Sequence, residues 1–223
     1  LPPNYERRAT ERPVEYRAAS DDASGLGVLT GYGAVFNSES RDLGGFVEVI
    51  LPGAFGEPID ETGALDVNHH VRVMARTNHD NAYLLGTTDA GTLRLFVDDI
   101  GLWYEIDLPD TSYGRDLAVL AKRGDIRFSS FAFHTPPGGD RWDYNANDQI
   151  VRYVTAAKLV DVAPVADPAY WDSTSLLVRS FDLDAIRASL TPPGEPASNE
   201  RAAIAGRANL IQITIEGSHH DGY

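Results

Sequence analysis

Between Leu26 and about Arg179 no apolar run lasts long. Gly or Pro interrupts the pattern every few residues, and the whole chain carries 20 glycines and 13 prolines among its 223 residues. Runs of about four to eight residues are strand-length, too short for most helices, so this segment must build its core from short strands joined by turns. Tyr32, Ala34 and Phe36 alternate, as do Val71, Val73 and Ala75, and each run fits a half-buried strand. Leu93, Leu95 and Val97 alternate up to a turn at Asp98–Gly101, and Leu102, Tyr104, Ile106 and Leu108 alternate on the return, which predicts a hairpin.

One helix is expected inside this segment, over about Ser112–Arg123. Asp110 or Thr111 caps it, Leu117 and Leu120 face inward, and Gly124 stops it. Gly114 should weaken it slightly. Ile126–His134 reads as a strand in which Phe128, Ser130, Ala132 and His134 share one face while Ser129, Phe131 and Phe133 share the other. Residues 135–148 read as a polar loop, and Gln149–Val165 as two strands or one bent strand. The domain expectation is an N-terminal arm over 1–25, a β-rich domain over 26–180, and a C-terminal region over 181–223. That last region should hold a short helix at Asp182–Leu190, a linker at Thr191–Asn199 and an alternating stretch at Leu210–Ile215.

Charge and composition then exclude several functions. Nineteen Lys and Arg stand against 33 Asp and Glu, a formal charge of −14 that repels phosphate backbones, so no nucleic-acid partner is expected. The absence of cysteine removes thiolate nucleophiles, disulfides and zinc fingers. No stretch approaches the roughly 18 apolar residues of a membrane span, and a non-secreted soluble protein without a cofactor is expected.

Three polar residues sit in apolar strand-like surroundings: His79 in Asn78-His79-Asp80, Ser130 in Ser129-Ser130-Phe131, and Asp161 in Val160-Asp161-Val162. Buried polar groups need partners. A hydroxyl, an imidazole and a carboxylate can satisfy one another, and they are also the set that hydroxyl-based acyl transfer uses. Blander readings stay open at this point. His79 could belong to an Asx-type turn, Ser130 could be a small core residue, and Asp161 could pair with Lys158 or Arg152. A metal site through His69, His70 and His79 lacks an H-x-x-x-H spacing or a carboxylate cluster, and no metal is expected.

Several ordered blocks carry a resemblance. Gly31–Asn37 is followed by Asp42–Phe55 (DLGGFVEVILPGAF), Asn78-His79-Asp80 with Leu85-Gly86-Thr87, Gly91–Leu95, Gly101-Leu102 to Thr111, Arg123–Ile126 leading to Ser130–Phe133, and Leu159–Tyr170 (LVDVAPVADPAY). This set resembles the prohead maturation proteases of tailed phages, relatives of herpesvirus assemblin, over about residues 28–180. The resemblance implies a closed, twisted β-barrel with a few surrounding helices, and a serine endopeptidase that cleaves the scaffold and major capsid protein, and itself, inside an assembling prohead in the bacterial cytoplasm. It also allows a homo-oligomer. It implies Ser130 as nucleophile, His79 as base and Asp161 as third member, with backbone N–H groups around Ala169, Tyr170 and Trp171 as oxyanion donors. The sequence departs from many relatives in having Ser129 in place of Met or Gly, Ala163 in place of Ser, and Asp rather than Glu at 161. The alternative from another class is a noncatalytic β-barrel serving as a structural or scaffold-like capsid component.

Overall fold

The computed structural model describes residues 5–20, 25–65, 72–167 and 181–190. In chain order these form β1 (Glu6–Thr10), β2 (Glu15–Ala18), β3 (Gly27–Val35), β4 (Val47–Ile50), β5 (Met74–Arg76), β6 (Leu84–Thr87), β7 (Leu93–Val97), β8 (Gly101–Asp107), α1 (Ser112–Arg123), β9 (Phe128–His134), β10 (Asp140–Tyr144), β11 (Ile150–Val154), β12 (Lys158–Val165) and α2 (Leu183–Leu190). The chain divides into two units between Leu183 and Asp184, so nearly all of α2 belongs to the second. Val71, the alternating stretch 210–215 and the linker 191–199 lie outside the described residues.

The first unit is β-rich. Its strands form three sheets, ordered β1-β9-β12-β5-β6, β10-β11-β4 and β2-β3-β8-β7, and none closes on itself among the described residues. The expected hairpin is present as β7 and β8, paired antiparallel from Leu93↔Ile106 to Val97↔Leu102. Its inward residues join Leu29, Phe131, Phe133 and Val162 in one apolar core. Helix α1 has the expected ends. The Thr111 hydroxyl accepts the Gly114 N–H, and Gly124 takes a left-handed φ of 83°. Gly114 is there for a packing reason, because a Cβ at that position would overlap the Pro109 carbonyl oxygen.

Three local readings change. Tyr32 does not share a face with Ala34 and Phe36. The β3–β8 register shifts between Tyr32 and Ala34, so Tyr32 turns outward to donate its hydroxyl to Asp98 while Ala34 and Phe36 are buried. A bulge adds one residue and reverses the alternation beyond it. Residues 140–144 of the expected loop are strand β10, paired with β11 from Asp140↔Val154 to Tyr144↔Ile150. Its Asp-Arg-Trp-Asp-Tyr sequence lacks the apolar alternation that marks a strand, because only part of one face is covered. In the N-terminal stretch, β1 pairs with β9 and β2 pairs with β3, so the extended lead-in is built into two sheets.

Candidate active site

Strand β9, second in the five-stranded sheet, carries the two adjacent serines, and the pleat sends them to opposite faces. Ser129 lies in the core against Tyr104, with 2.7 Å between their hydroxyl oxygens. Glycine at position 31 makes room for this pair, since a Cβ there would overlap both oxygens. Burial pushes the Tyr104 phenol up, and the Ser129 contact only partly offsets this, so the pair stays neutral.

Ser130 faces the other way. Asp161 reaches the same face through an irregularity in β12. The β12–β9 pairing runs Lys158↔His134 and Leu159↔Phe133, then shifts to Asp161↔Ala132 and Ala163↔Ser130. Without that extra residue Asp161 would stand opposite Phe131 and point into the apolar core. His79 arrives from the turn after β5. Asn78 and His79 both adopt left-handed backbone, with φ of 53° and 59°, and the Asn78 side-chain oxygen accepts the Ala166 N–H. Such conformations are uncommon outside glycine and persist only where surroundings hold them.

The three side chains meet in a line. His79 Nδ1 is 2.8 Å from Asp161 Oδ1, and His79 Nε2 is 2.6 Å from Ser130 Oγ. All three residues are buried. Asp80 is not part of the line, because its Oδ1 accepts the Ala82 N–H in an Asx-type turn. The sequence profile of the caudovirus prohead serine protease family matches residues 13–187. The chain belongs to that family. No curated protein and no solved structure matches it.

The protease adds a residue that the sequence reading missed. Arg76, at the end of β5, is buried and forms an ion pair with Asp161 Oδ2 and a hydrogen bond to the Asn81 side-chain oxygen. Its position three residues before the histidine on an alternating strand was the available signal. Burial alone would raise the Asp161 carboxyl, but the hydrogen bond and charge of His79 and the guanidinium of Arg76 outweigh it and hold the group below its ordinary value. An ionised Asp161 accepts from Nδ1–H, which leaves Nε2 as a lone-pair acceptor facing the Ser130 hydroxyl.

Ala169, Tyr170 and Trp171 lie outside the described residues, as do His69 and His70. Among the described residues no group of three or more His, Asp or Glu converges as a metal site would require. No helix there is long and apolar enough to cross a membrane. A cavity of about 620 Å³ runs along β1 and the 38–43 segment and reaches Ser130.

Proposed function

We propose that this protease is a serine endopeptidase in which Ser130 is the nucleophile, His79 the general base and acid, and Asp161 the residue that fixes the imidazole tautomer. The observation that carries this reading is the line of two short contacts from Ser130 Oγ through His79 to Asp161. His79 Nε2 takes the hydroxyl proton as Oγ attacks the scissile carbonyl, then returns it to the leaving amine, and water repeats the sequence to free the acyl group. Asp161 stabilises the imidazolium that forms, and Arg76 positions Asp161. Oxyanion donors are assigned to the backbone near Ala169–Trp171.

The biological substrate in this proposal is the scaffold and major capsid protein of an assembling phage prohead, with self-cleavage and self-association of the chain included. Its place of action is the prohead interior in the bacterial cytoplasm. A closed barrel belongs to the same proposal, supported by three sheets whose strands contribute to one apolar core.

A fluorophosphonate tests the assignment directly. Mass mapping should find the adduct on Ser130 and on no other serine, and His79→Ala should prevent it. Co-expression with the major capsid protein of the same phage should yield new protein termini that vanish in Ser130→Ala. Peptide cleavage should weaken on acidification, because the imidazole must be neutral to accept a proton, and a profile flat from about pH 5 to 8 would remove His79 as base.

A further inference from the structure

Strand β1 lies at the edge of the largest sheet, antiparallel to β9, with Ala9 directly opposite Ser130. The Ser130 hydroxyl donates to the Arg8 carbonyl oxygen at 2.8 Å. An extended segment therefore lies along the nucleophile's own strand and presents one carbonyl to it. This is the geometry of a peptide recognised by strand addition, where main-chain bonds hold the segment and alternate side chains are read by pockets. The family match begins at residue 13, so β1 precedes the matched region.

The residue whose carbonyl meets Ser130 is also the residue whose side chain is most specifically held. Arg8 Nε donates to Glu48 Oε1 and Arg8 Nη2 to Glu48 Oε2, both at 2.8 Å. Two parallel bonds of this kind fit a planar guanidinium and fit an ammonium less well. Glu48 is on β4, and its side chain is 2% exposed. If Arg8 withdraws, Oε1 loses its donor while Oε2 keeps Arg152 Nη1. A buried carboxylate oxygen in that state favours another basic side chain. The cavity beside β1 gives an incoming chain room to approach.

We infer that the β9 edge is the peptide-docking edge of the protease, that β1 occupies it in cis, and that Glu48 selects a basic residue immediately before the scissile bond. The substrate class is an extended peptide with arginine, or less favourably lysine, at that position. The inference rests on Ser130 being the nucleophile. β1 is a competitor that substrate displaces, and its carbonyl draws the hydroxyl proton away from His79 while it stays.

The experiment uses the full chain and two probes. One is the rate of fluorophosphonate labelling at Ser130. The other is a set of extended peptides that differ only in Arg, Lys, Gln or Glu before the cut. The Arg peptide should exceed the Gln peptide in kcat/KM by about tenfold or more. Arg8→Ala and Arg8→Glu should each label several-fold faster than the parent chain. Glu48→Asp, one methylene shorter, should shrink the Arg-to-Gln ratio several-fold, an effect that lost stability alone would not produce. Equal cleavage of the Arg and Gln peptides would overturn the specificity, and unchanged labelling in both Arg8 variants would overturn the occupancy. Absence of Ser130 labelling in every chain would overturn the nucleophile assignment and this inference with it.

Discussion

Two clusters of buried charge lie on opposite faces of the β1–β9 pair, and they handle their protons differently. On one face Arg152 donates to Glu6, Glu48 and Asp140 at 2.6 to 2.8 Å, and Arg8 closes the network through the same two glutamates. Each cation there donates to two or more carboxylates. On the other face the single Ser130 proton lies between two acceptors, His79 Nε2 and the Arg8 carbonyl. Arg152 in the first cluster only holds, while Arg8 is the member that leaves with β1 on the inference above; on the proposed mechanism the second cluster transfers its proton. Substitutions of Arg152 and Glu6 should therefore be read in stability, and substitutions in the second cluster in turnover.

The largest expected effect is Ser130→Ala. It should lower peptide cleavage by on the order of 10⁴ to 10⁶-fold while leaving the urea midpoint nearly unchanged. Ser129→Ala should do the reverse. It strands the buried Tyr104 hydroxyl and lowers stability by about 1–3 kcal/mol with little effect on rate. Paired kinetic and unfolding measurements on the two variants check this, and comparable rate losses would erase the distinction between the faces.

Next comes Asp161→Asn, expected to reduce kcat by roughly 10³ to 10⁴-fold because the amide favours the wrong imidazole tautomer. Asp80→Asn should change kcat by less than about tenfold, since Asp80 only closes a turn. A larger loss in Asp80→Asn would move the third role to the sequence neighbour.

Arg152→Leu sharpens the comparison from the other cluster. It leaves Glu6, Glu48 and Asp140 short of a cation and should lower unfolding free energy by about 3–5 kcal/mol in urea titration. A change below about 1 kcal/mol would mean that the network is solvated in practice.

The smallest effect concerns acid. Burial would raise Glu6, but the charge of Arg8 and the bond and charge of Arg152, helped by Thr135, hold it below its ordinary value, as His79 and Arg76 do for Asp161. A carboxylate depressed in the folded state lends stability that is complete above its unfolded-state value, about pH 4, and is lost as pH falls through the lower folded value. Urea midpoints should therefore drop below about pH 4, and Glu6→Gln should make that drop shallower. An identical slope would show that Glu6 adds nothing to it.

Much of this was legible in the residues. Strand alternation separated Ser129 from Ser130, and the β7–β8 hairpin and α1 followed from period and caps. What escaped was set by one-residue irregularities and by partners far along the chain. The bulge before Asp161 leaves no mark in Leu159-Val160-Asp161-Val162, yet it decides which face the carboxylate takes. Strand β10 is polar because it sits on a partly exposed face, so its composition matched a loop. The role of β1 rests on a register with β9, which no local pattern encodes.

On the proposed mechanism, the place of β12 also sets when the protease can begin to work. It lies between β9 and β5, and it is the last strand described in the chain. His79 and Ser130 are 51 residues apart, and His79 and Asp161 are 82 apart. Contacts of such separation close late in folding. A chain leaving the ribosome N-terminus first thus exposes the serine and the histidine before the strand that joins β9 to β5 exists. On the proposed mechanism, a half-synthesised chain is harmless to its neighbours, and cutting power waits for β12 and the residues that follow it.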